Sequence, residues 1–126
     1  MNFSISWTLN GKGDNYKSPT WSHIKQIILD LKDQSGTVTL DVTDNITGAE
    51  MLQVRTEDGY YLLTLGEILE DEYNVRSYWN PKELDQQIDI LGDYWPARQL
   101  TKDFDFVVKV FKEFFETGNV SPELLD

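Results

Sequence analysis

The hydrophobic pattern of this chain changes its period along the sequence, and this change constrains the fold more than any other feature. Apolar residues alternate with polar ones at 2–9 and again at 37–43, which is typical of half-buried strands. They recur at helical spacing between 21 and 31, and again between 104 and 117. Strands that alternate in this way form antiparallel sheets with one solvent-facing side. The sequence therefore predicts an α+β fold.

Four more strands are predicted in the middle of the chain. Two of them are joined across Asp58-Gly59, a dipeptide typical of tight hairpin turns. Asn80-Pro81 ends the third strand, and Gly92 ends the fourth. We place these strands at residues 49–56, 60–65, 72–79 and 86–91. The resulting element order is β-α-β-β-β-β-β-α.

Local signals mark the ends of both helices. Ser18 followed by Pro19 is typical of a helix start. Asp103 or Thr101 is the expected cap of the second helix, and Gly118 is its expected end. The apolar stripe of this helix consists of Phe104, Val107, Val108, Phe111 and Phe115, widened by Val110 and Phe114. We expect a single domain over residues 1–126, with an antiparallel sheet of about five or six strands and both long helices packed on one face.

The charge of the chain is strongly negative and unevenly distributed. The chain has 22 acidic and 11 basic residues, a net charge of −11. Thirteen acids and three bases fall within residues 41–93, which therefore account for −10 of that total. Such a field repels nucleic acid and anionic membranes, and it speeds the encounter with a basic partner. Acidity that serves solubility alone is the other interpretation of the same numbers.

The chain lacks the side chains that most catalytic and metal sites use. It has no cysteine, and its one histidine, His23, lies off the apolar stripe of the first helix and is expected to face solvent. No EF-hand spacing is present, and Gly11-x-Gly13 lacks the other residues of a phosphate loop. We therefore expect no catalytic residue, no metal site and no cofactor. The first residues resemble no signal peptide and no apolar run is long enough to cross a bilayer, which predicts a cytoplasmic protein.

Acidic residues interleave with aromatic ones in the middle of the chain. Neighbours in a strand face opposite sides, so one member of the Tyr78-Trp79 pair should face solvent, where such residues typically anchor interfaces. Bracing of the sheet by cross-strand pairs is the alternative role. We expect a binding surface on the solvent-facing side or rim of the sheet, with Tyr78 or Trp79 as its aromatic anchor. Its predicted acidic residues are Glu57, Asp58, Glu67, Glu70, Asp71, Glu72, Asp89 and Asp93.

The C-terminal run DYWPARQLTKDFDFVVKVFKEFFETGNVS resembles the ending of bacterial immunity proteins from polymorphic-toxin and contact-dependent growth inhibition systems. These proteins often close with a helix of the form V-x-x-F-x-x-F-x-x-T-G. Two earlier patterns, W-x-x-I-x-x-x-I-x-x-L and M-L-x-V, are also similar, so the resemblance spans most of the chain. The residues that carry it are Val108, Phe111, Phe114, Thr117, Gly118, Trp21, Ile24, Ile28, Leu31, Met51, Leu52 and Val54.

The resemblance implies that the protein neutralises a cognate toxin domain, commonly a nuclease, by binding it tightly and occluding its active or substrate-binding surface. Immunity proteins have no catalytic residues to transfer to this chain. Nucleases bind phosphate and are usually basic, which agrees with the acidic middle of the sequence. Two alternatives stay open: a small interaction or subunit protein of a larger complex, and a carboxylate-dependent small enzyme. The oligomeric state stays open as well.

Overall fold

The computed structural model describes residues 1–44 and 48–126. Along these residues lie nine strands and two helices, with one short turn of 3-10 helix before the last strand. The strands are β1 (Phe3–Leu9), β2 (Lys12–Lys17), β3 (Gly36–Val42), β4 (Gly48–Glu57), β5 (Tyr60–Leu69), β6 (Glu72–Ser77), β7 (Gln87–Ile90), β8 (Asp93–Pro96) and β9 (Leu100–Thr101). The helices are α1 (Trp21–Leu31) and α2 (Phe104–Thr117).

Seven strands form one antiparallel sheet in the order β2-β1-β3-β4-β5-β6, with β9 beside the first residues of β5. The strands β7 and β8 form a separate hairpin. Both helices share a single hydrophobic core with one face of the large sheet. The predicted α+β class, the antiparallel sheet and the placement of both helices on one face are confirmed. The opposite face of the large sheet is called the open face below.

Three strands were not expected from the sequence. All six residues of β2 are exposed, so the strand has no alternating apolar pattern that would reveal it. It pairs with β1 across Asn10-Gly11, where both residues have positive φ angles, as a tight two-residue turn requires. The other two are β8, which pairs with β7 away from the main sheet, and the two-residue β9, which pairs with the start of β5.

The helix ends follow local capping chemistry. The Thr20 side chain accepts a hydrogen bond from the His23 backbone N–H, so α1 is capped by Thr20 and not by Ser18. The Asp103 carboxylate caps α2 by accepting from the Phe106 N–H. Gly118 ends α2 in the left-handed conformation, with φ at 78°. The predicted boundaries of α2 are confirmed.

The buried stripe of α2 is rotated relative to the predicted one. Val107, Val110, Phe111 and Phe114 are fully buried, at the i, i+3, i+4 and i+7 spacing of one helix face. The predicted stripe members Phe104, Val108 and Phe115 are only partly buried, because they flank this face and pack at the rim of the core. The expectation that these three are core residues is therefore wrong.

Rows of apolar side chains run across the sheet beneath the helices. Ile5, Leu40, Leu52 and Leu65 are aligned in register on β1, β3, β4 and β5, and all four are fully buried. The row continues on β6 with Arg76, a charged residue. The core therefore ends at β6 with a polar arrangement and not with another apolar side chain.

The open face is not uniformly exposed to solvent. The β7–β8 hairpin packs against it through a second small core formed by Leu62, Ile90 and Leu100. This core covers the end of β5 nearest Tyr60. The half of the open face nearest the β5–β6 turn has no such cover among the described residues.

Candidate functional site

The structure divides the predicted binding residues into two groups at opposite ends of β5. One group lies where β5 begins, near the β4–β5 turn and the hairpin tip, and the other lies at the β5–β6 turn. A strand of ten residues spans about 30 Å, so the two groups do not form one continuous patch.

The group near the hairpin has local structural roles. The Glu57 carboxylate accepts a hydrogen bond from the Leu91 N–H at 2.9 Å and so fixes the hairpin tip to β4. The Asp89 carboxylate accepts from the Gly92 N–H at 2.8 Å, inside the hairpin turn itself. Of the four acids in this group, only Asp58 and Asp93 are left without such a bond among the described residues.

Glu67 does not lie on the open face, so its expected position is wrong. It shares the helix-side face of β5 with Leu65, two residues before it, and it is 9% exposed. Its carboxylate accepts from the Asn74 amide at 2.8 Å and pairs with the Arg76 guanidinium at 3.5 Å. The physical reason is the two-residue period of a strand, which sends residue 67 to the core side.

Arg76 is the centre of this buried polar arrangement. Besides Glu67, its guanidinium donates to the Asn119 side chain at 3.0 Å and to the Leu125 carbonyl at 2.9 Å. It also donates to the Val120 carbonyl. These bonds hold the segment after α2 against β6. Glu67 and Arg76 therefore stabilise the fold and are not free to contact a partner.

The two predicted aromatic anchors differ in availability. The Tyr78 ring packs against Phe106 of α2, with ring centroids 5.3 Å apart, so it belongs to the rim of the core. Trp79 is 53% exposed. Both residues follow the end of β6 that is opposite to Glu72, so neither lies among the acids of the β5–β6 turn.

The β5–β6 turn and β6 bring acids and exposed apolar side chains together. Glu70, Asp71 and Glu72 are all exposed. Directly after them, Tyr73 and Val75 lie on the open face, and each is 56% exposed. Sequence reasoning identified the three acids but not Tyr73 and Val75, whose exposure depends on β6 being the last strand of the sheet.

Two further carboxylates lie beside Tyr73. The Tyr73 hydroxyl donates a hydrogen bond to Glu50 on β4, and burial together with this carboxylate raises the pKa of Tyr73. Burial, and then the charge of Glu50, raise the pKa of Asp41 on β3 above its ordinary value. Gly66 makes this arrangement possible, because a Cβ there would overlap the Tyr73 hydroxyl.

These carboxylates have no basic partner within the described residues, whose ion pairs are the N-terminal amine with Asp44 and Arg76 with Glu67. The Arg55 guanidinium lies over the Trp95 ring, 5.8 Å from its centroid, beside the hairpin. The surface is therefore strongly negative with exposed apolar groups in its middle. We call it the acidic edge; it consists of Asp41, Glu50, Glu70, Asp71, Glu72, Tyr73 and Val75.

Three further features of the described residues bear on function: the lack of metal-binding clusters, the single histidine and the lack of membrane-spanning helices. They contain no group of three or more His, Asp or Glu side chains placed to hold a metal ion. His23 lies off the buried stripe of α1, as expected, and its partly exposed ring packs edge-on against Tyr16 of β2, with centroids 4.4 Å apart. No described helix has both the length and the apolar character that crossing a membrane requires.

Comparison with known proteins identifies the fold and the family. No curated protein shows significant similarity to the chain. The crystal structure of a hypothetical protein from Neisseria gonorrhoeae is similar, with a TM-score of 0.80 at 19% sequence identity, over 95% of this chain and 90% of that one. At this identity the similarity shows the fold alone. The model of a family of unknown function, DUF6911, matches residues 3–124, and the chain therefore belongs to that family.

Proposed function

We propose that this protein is an immunity protein that acts in the cytoplasm. It binds a basic, nuclease-type toxin domain and neutralises it by occluding the active or substrate-binding surface. The observation that carries the proposal is the acidic edge, where exposed Tyr73 and Val75 are surrounded by carboxylates that have no basic partner among the described residues.

The charge of the acidic edge supports a basic partner. A nuclease must bind the phosphate backbone, and it does so with lysine and arginine side chains. Carboxylates that attract the same side chains compete with the nucleic acid for that surface. The local field also steers the encounter and raises the association rate.

Charge alone does not account for tight neutralisation. Exposed ion pairs contribute only about 0–1 kcal/mol each, so a stable complex needs at least one anchor that loses its water on binding. Tyr73 and Val75 are suited to this role because both project from β6 beside the carboxylates. Loss of such an anchor typically costs about 2 kcal/mol or more.

The pair of Asp41 and Glu50 adds a reason for the site to accept a cation. Both carboxylates are partly buried on the open face, and the raised pKa of Asp41 means that its ionised form is disfavoured there. A lysine or arginine side chain from a partner would stabilise the ionised form by the opposite charge. Binding and ionisation would then favour each other.

Growth rescue tests the proposed function directly. Basic C-terminal domains of large secreted proteins, sought among the genes beside the one for this chain, are expressed as the toxin domain in bacteria, with and without this protein. We expect growth to stop with the toxin domain alone and to resume when the wild-type chain is added. The triple charge reversal E70K/D71K/E72K is expected to abolish rescue, while the reversal D105K/E116K/E123K on the outer surface of α2 and the segment after it serves as the matched control and keeps it.

Two outcomes would contradict the proposal. The first is that the toxin domain is not neutralised by the wild-type chain, which would favour a subunit of another complex. The second is that the control reversal abolishes rescue while the triple reversal of the β5–β6 turn does not. The abundance and folding of each variant are checked first, by immunoblot and circular dichroism.

A further inference from the structure

The outer edge of β6 is open where it passes Tyr73 and Val75. β6 is the last strand of the sheet, and no described segment pairs with it at these two residues. At Ser77 the edge is occupied: the Ser77 N–H donates to the Asp126 carbonyl at 3.3 Å, and the Asp126 N–H donates to the Ser77 carbonyl at 3.1 Å. Bonding directions alternate along a strand, so Val75 and Tyr73 direct their N–H and C=O groups outward as Ser77 does.

The two outer strands of the large sheet differ in how strongly they discourage pairing with another chain. The edge strand β2 carries Lys12 and Lys17 at its two ends, and lysines on an edge discourage pairing with another chain. β6 has neither lysine nor proline, and its pairing with β5 shows no bulge. Its exposed apolar residues are Tyr73 and Val75, of types that favour strands. Of the two outermost strands of the large sheet along the described residues, β6 is therefore the one with an edge suited to adding a strand.

The charges around this edge determine which strand it suits. The exposed turn carboxylates Glu70, Asp71 and Glu72 lie at one end of β6, and the acidic residue Asp126, paired with Ser77 through its backbone, lies at the other. The nearest basic residue, Arg76, is buried in its pair with Glu67. An extended segment rich in lysine or arginine meets opposite charge at both ends, whereas a second copy of this acidic chain brings like charges together.

We infer that the outer edge of β6 binds an extended, basic segment of the partner as an added strand. The segment exchanges main-chain hydrogen bonds with Tyr73 and Val75. Its apolar side chains lie beside Tyr73 and Val75 on the open face, and its alternate, basic side chains lie on the other face near Glu72. This inference rests on the proposed function and specifies how the acidic edge binds its partner.

A peptide of alternating sequence tests strand addition separately from charge. The probe is a capped peptide of alternating lysine and valine, titrated into the 15N-labelled full chain and followed by NMR. The matched control is the same peptide with N-methyl groups on the amides that would face β6, because it keeps the charge but loses the donors. We expect the largest shifts at residues 72–76 and an affinity for the N-methylated peptide that is lower by about tenfold.

The substitution Val75→Pro provides the reciprocal test on the protein. It removes an N–H that points away from β5, so the β5–β6 pairing keeps its hydrogen bonds. Val75→Thr is the matched control, because it keeps the N–H and the strand propensity. We expect Val75→Pro to weaken binding of the peptide and of the toxin domain about tenfold. Val75→Thr should bind both ligands much more tightly than Val75→Pro does. If Val75→Pro does not fold, the inference is tested by comparing the affinities of the wild-type chain for the unmodified and the N-methylated peptide.

Three outcomes would overturn the inference. One is equal affinity for the two peptides, which would mean that only charge is recognised. Another is a dimer of this chain in sedimentation that pairs through β6, so that a second copy occupies the edge. The third is undiminished binding of the toxin domain by folded Val75→Pro, while the triple reversal of the β5–β6 turn abolishes it. This last result would leave the proposed function standing, whereas failure of growth rescue by the wild-type chain would remove the proposed function itself.

Discussion

Arg76 holds the segment after α2 against the sheet through hydrogen bonds and an ion pair. Its position in the core row after Leu65 would suit an apolar side chain, but it instead satisfies carbonyl groups of the segment after α2 and the buried Glu67 carboxylate. Buried charges are tolerated when they are paired and hydrogen-bonded in this way. The segment from Asn119 to Leu125 is therefore part of the folded unit, held by polar contacts.

Replacing Arg76 with alanine should destabilise the protein strongly. The change leaves the Glu67 carboxylate buried without its partner, and removal of one member of a buried ion pair typically costs about 3–5 kcal/mol. The free energy of unfolding is measured by urea titration. Arg55→Ala is the matched control, because the Arg55 guanidinium only lies over the Trp95 ring and its loss should cost about 1 kcal/mol. A loss below about 1 kcal/mol for Arg76→Ala would mean that this residue does not hold the segment.

Asp41 predicts a definite dependence of stability on pH. Because burial and the Glu50 charge raise its pKa in the folded state, the folded protein holds the proton more tightly than the unfolded chain does. Stability contributed by this group is therefore lost as pH rises from the unfolded value, about 3.9, through the folded one. Asp41→Asn should raise stability at pH 7 and have little effect near pH 3.

Urea midpoints at the two pH values measure this difference. Asp71→Asn, a change at an exposed turn carboxylate, is the matched control and should have little effect on stability. If Asp41→Asn lowered stability equally at both pH values, the Asp41 carboxylate would be a structural acceptor and not a destabilised charge on the open face.

At the scale of elements, the features that can be predicted from the sequence are helix ends and tight turns, because each depends on a few neighbouring residues. The ends of α2 follow from Asp103 and Gly118, whose capping chemistry depends on a few neighbouring residues. The Asp58-Gly59 hairpin was predicted for the same reason, since the turn itself requires those residue types. Asn10-Gly11 carries the same signal, but no apolar alternation follows it, and β2 was therefore missed.

Features that depend on distant partners could not be predicted. The strand predicted at 60–65 continues to Leu69, and only that extension places Glu67 on the core side. Pairing of β7 with β8 over Leu62 depends on which face of the sheet is free. Of the candidate site, the sequence therefore predicted the turn acids but not Tyr73 and Val75 as its exposed centre, because their exposure follows from the strand order.

Phe111 tests the packing of α2 as an element. Its side chain is fully buried against the sheet, so Phe111→Ala removes a large apolar contact and leaves a cavity, at a cost of about 3–5 kcal/mol. Phe115→Ala is the matched control, because Phe115 is only partly buried at the rim and should cost less. A loss below about 1 kcal/mol for Phe111→Ala in a denaturant titration would show that α2 does not pack as described.

At the scale of the whole molecule, charge and shape separate the faces of the protein. The helices bury their apolar stripes in the core, and α2 carries Asp105, Lys109, Lys112 and Glu116 on its outer side, a balanced set. The acidic edge lies at the β5–β6 end of the sheet without balancing bases among the described residues. The long-range field of the protein therefore directs a cationic partner toward the β5–β6 end.

The salt dependence of association tests this field. We expect the association rate with the toxin domain to fall about tenfold or more as salt rises, while dissociation changes less. Stopped-flow fluorescence measures both rates, and E70K/D71K/E72K should show a much weaker dependence because it removes the local field. An association rate that does not change with ionic strength would count against electrostatic steering.

The most direct test of the central claim is the equilibrium affinity of the toxin domain for two matched charge reversals, measured by isothermal titration calorimetry. The variant E70K/D71K/E72K changes the acidic edge, and D105K/E116K/E123K makes the same change of charge on the outer surface of α2 and the segment after it. We predict that the first reversal weakens binding by at least about tenfold, or 1.4 kcal/mol, and that the second leaves it within about twofold. Intact affinity in the first variant with lost affinity in the second, both being folded, would place the binding surface on the helices and contradict the account.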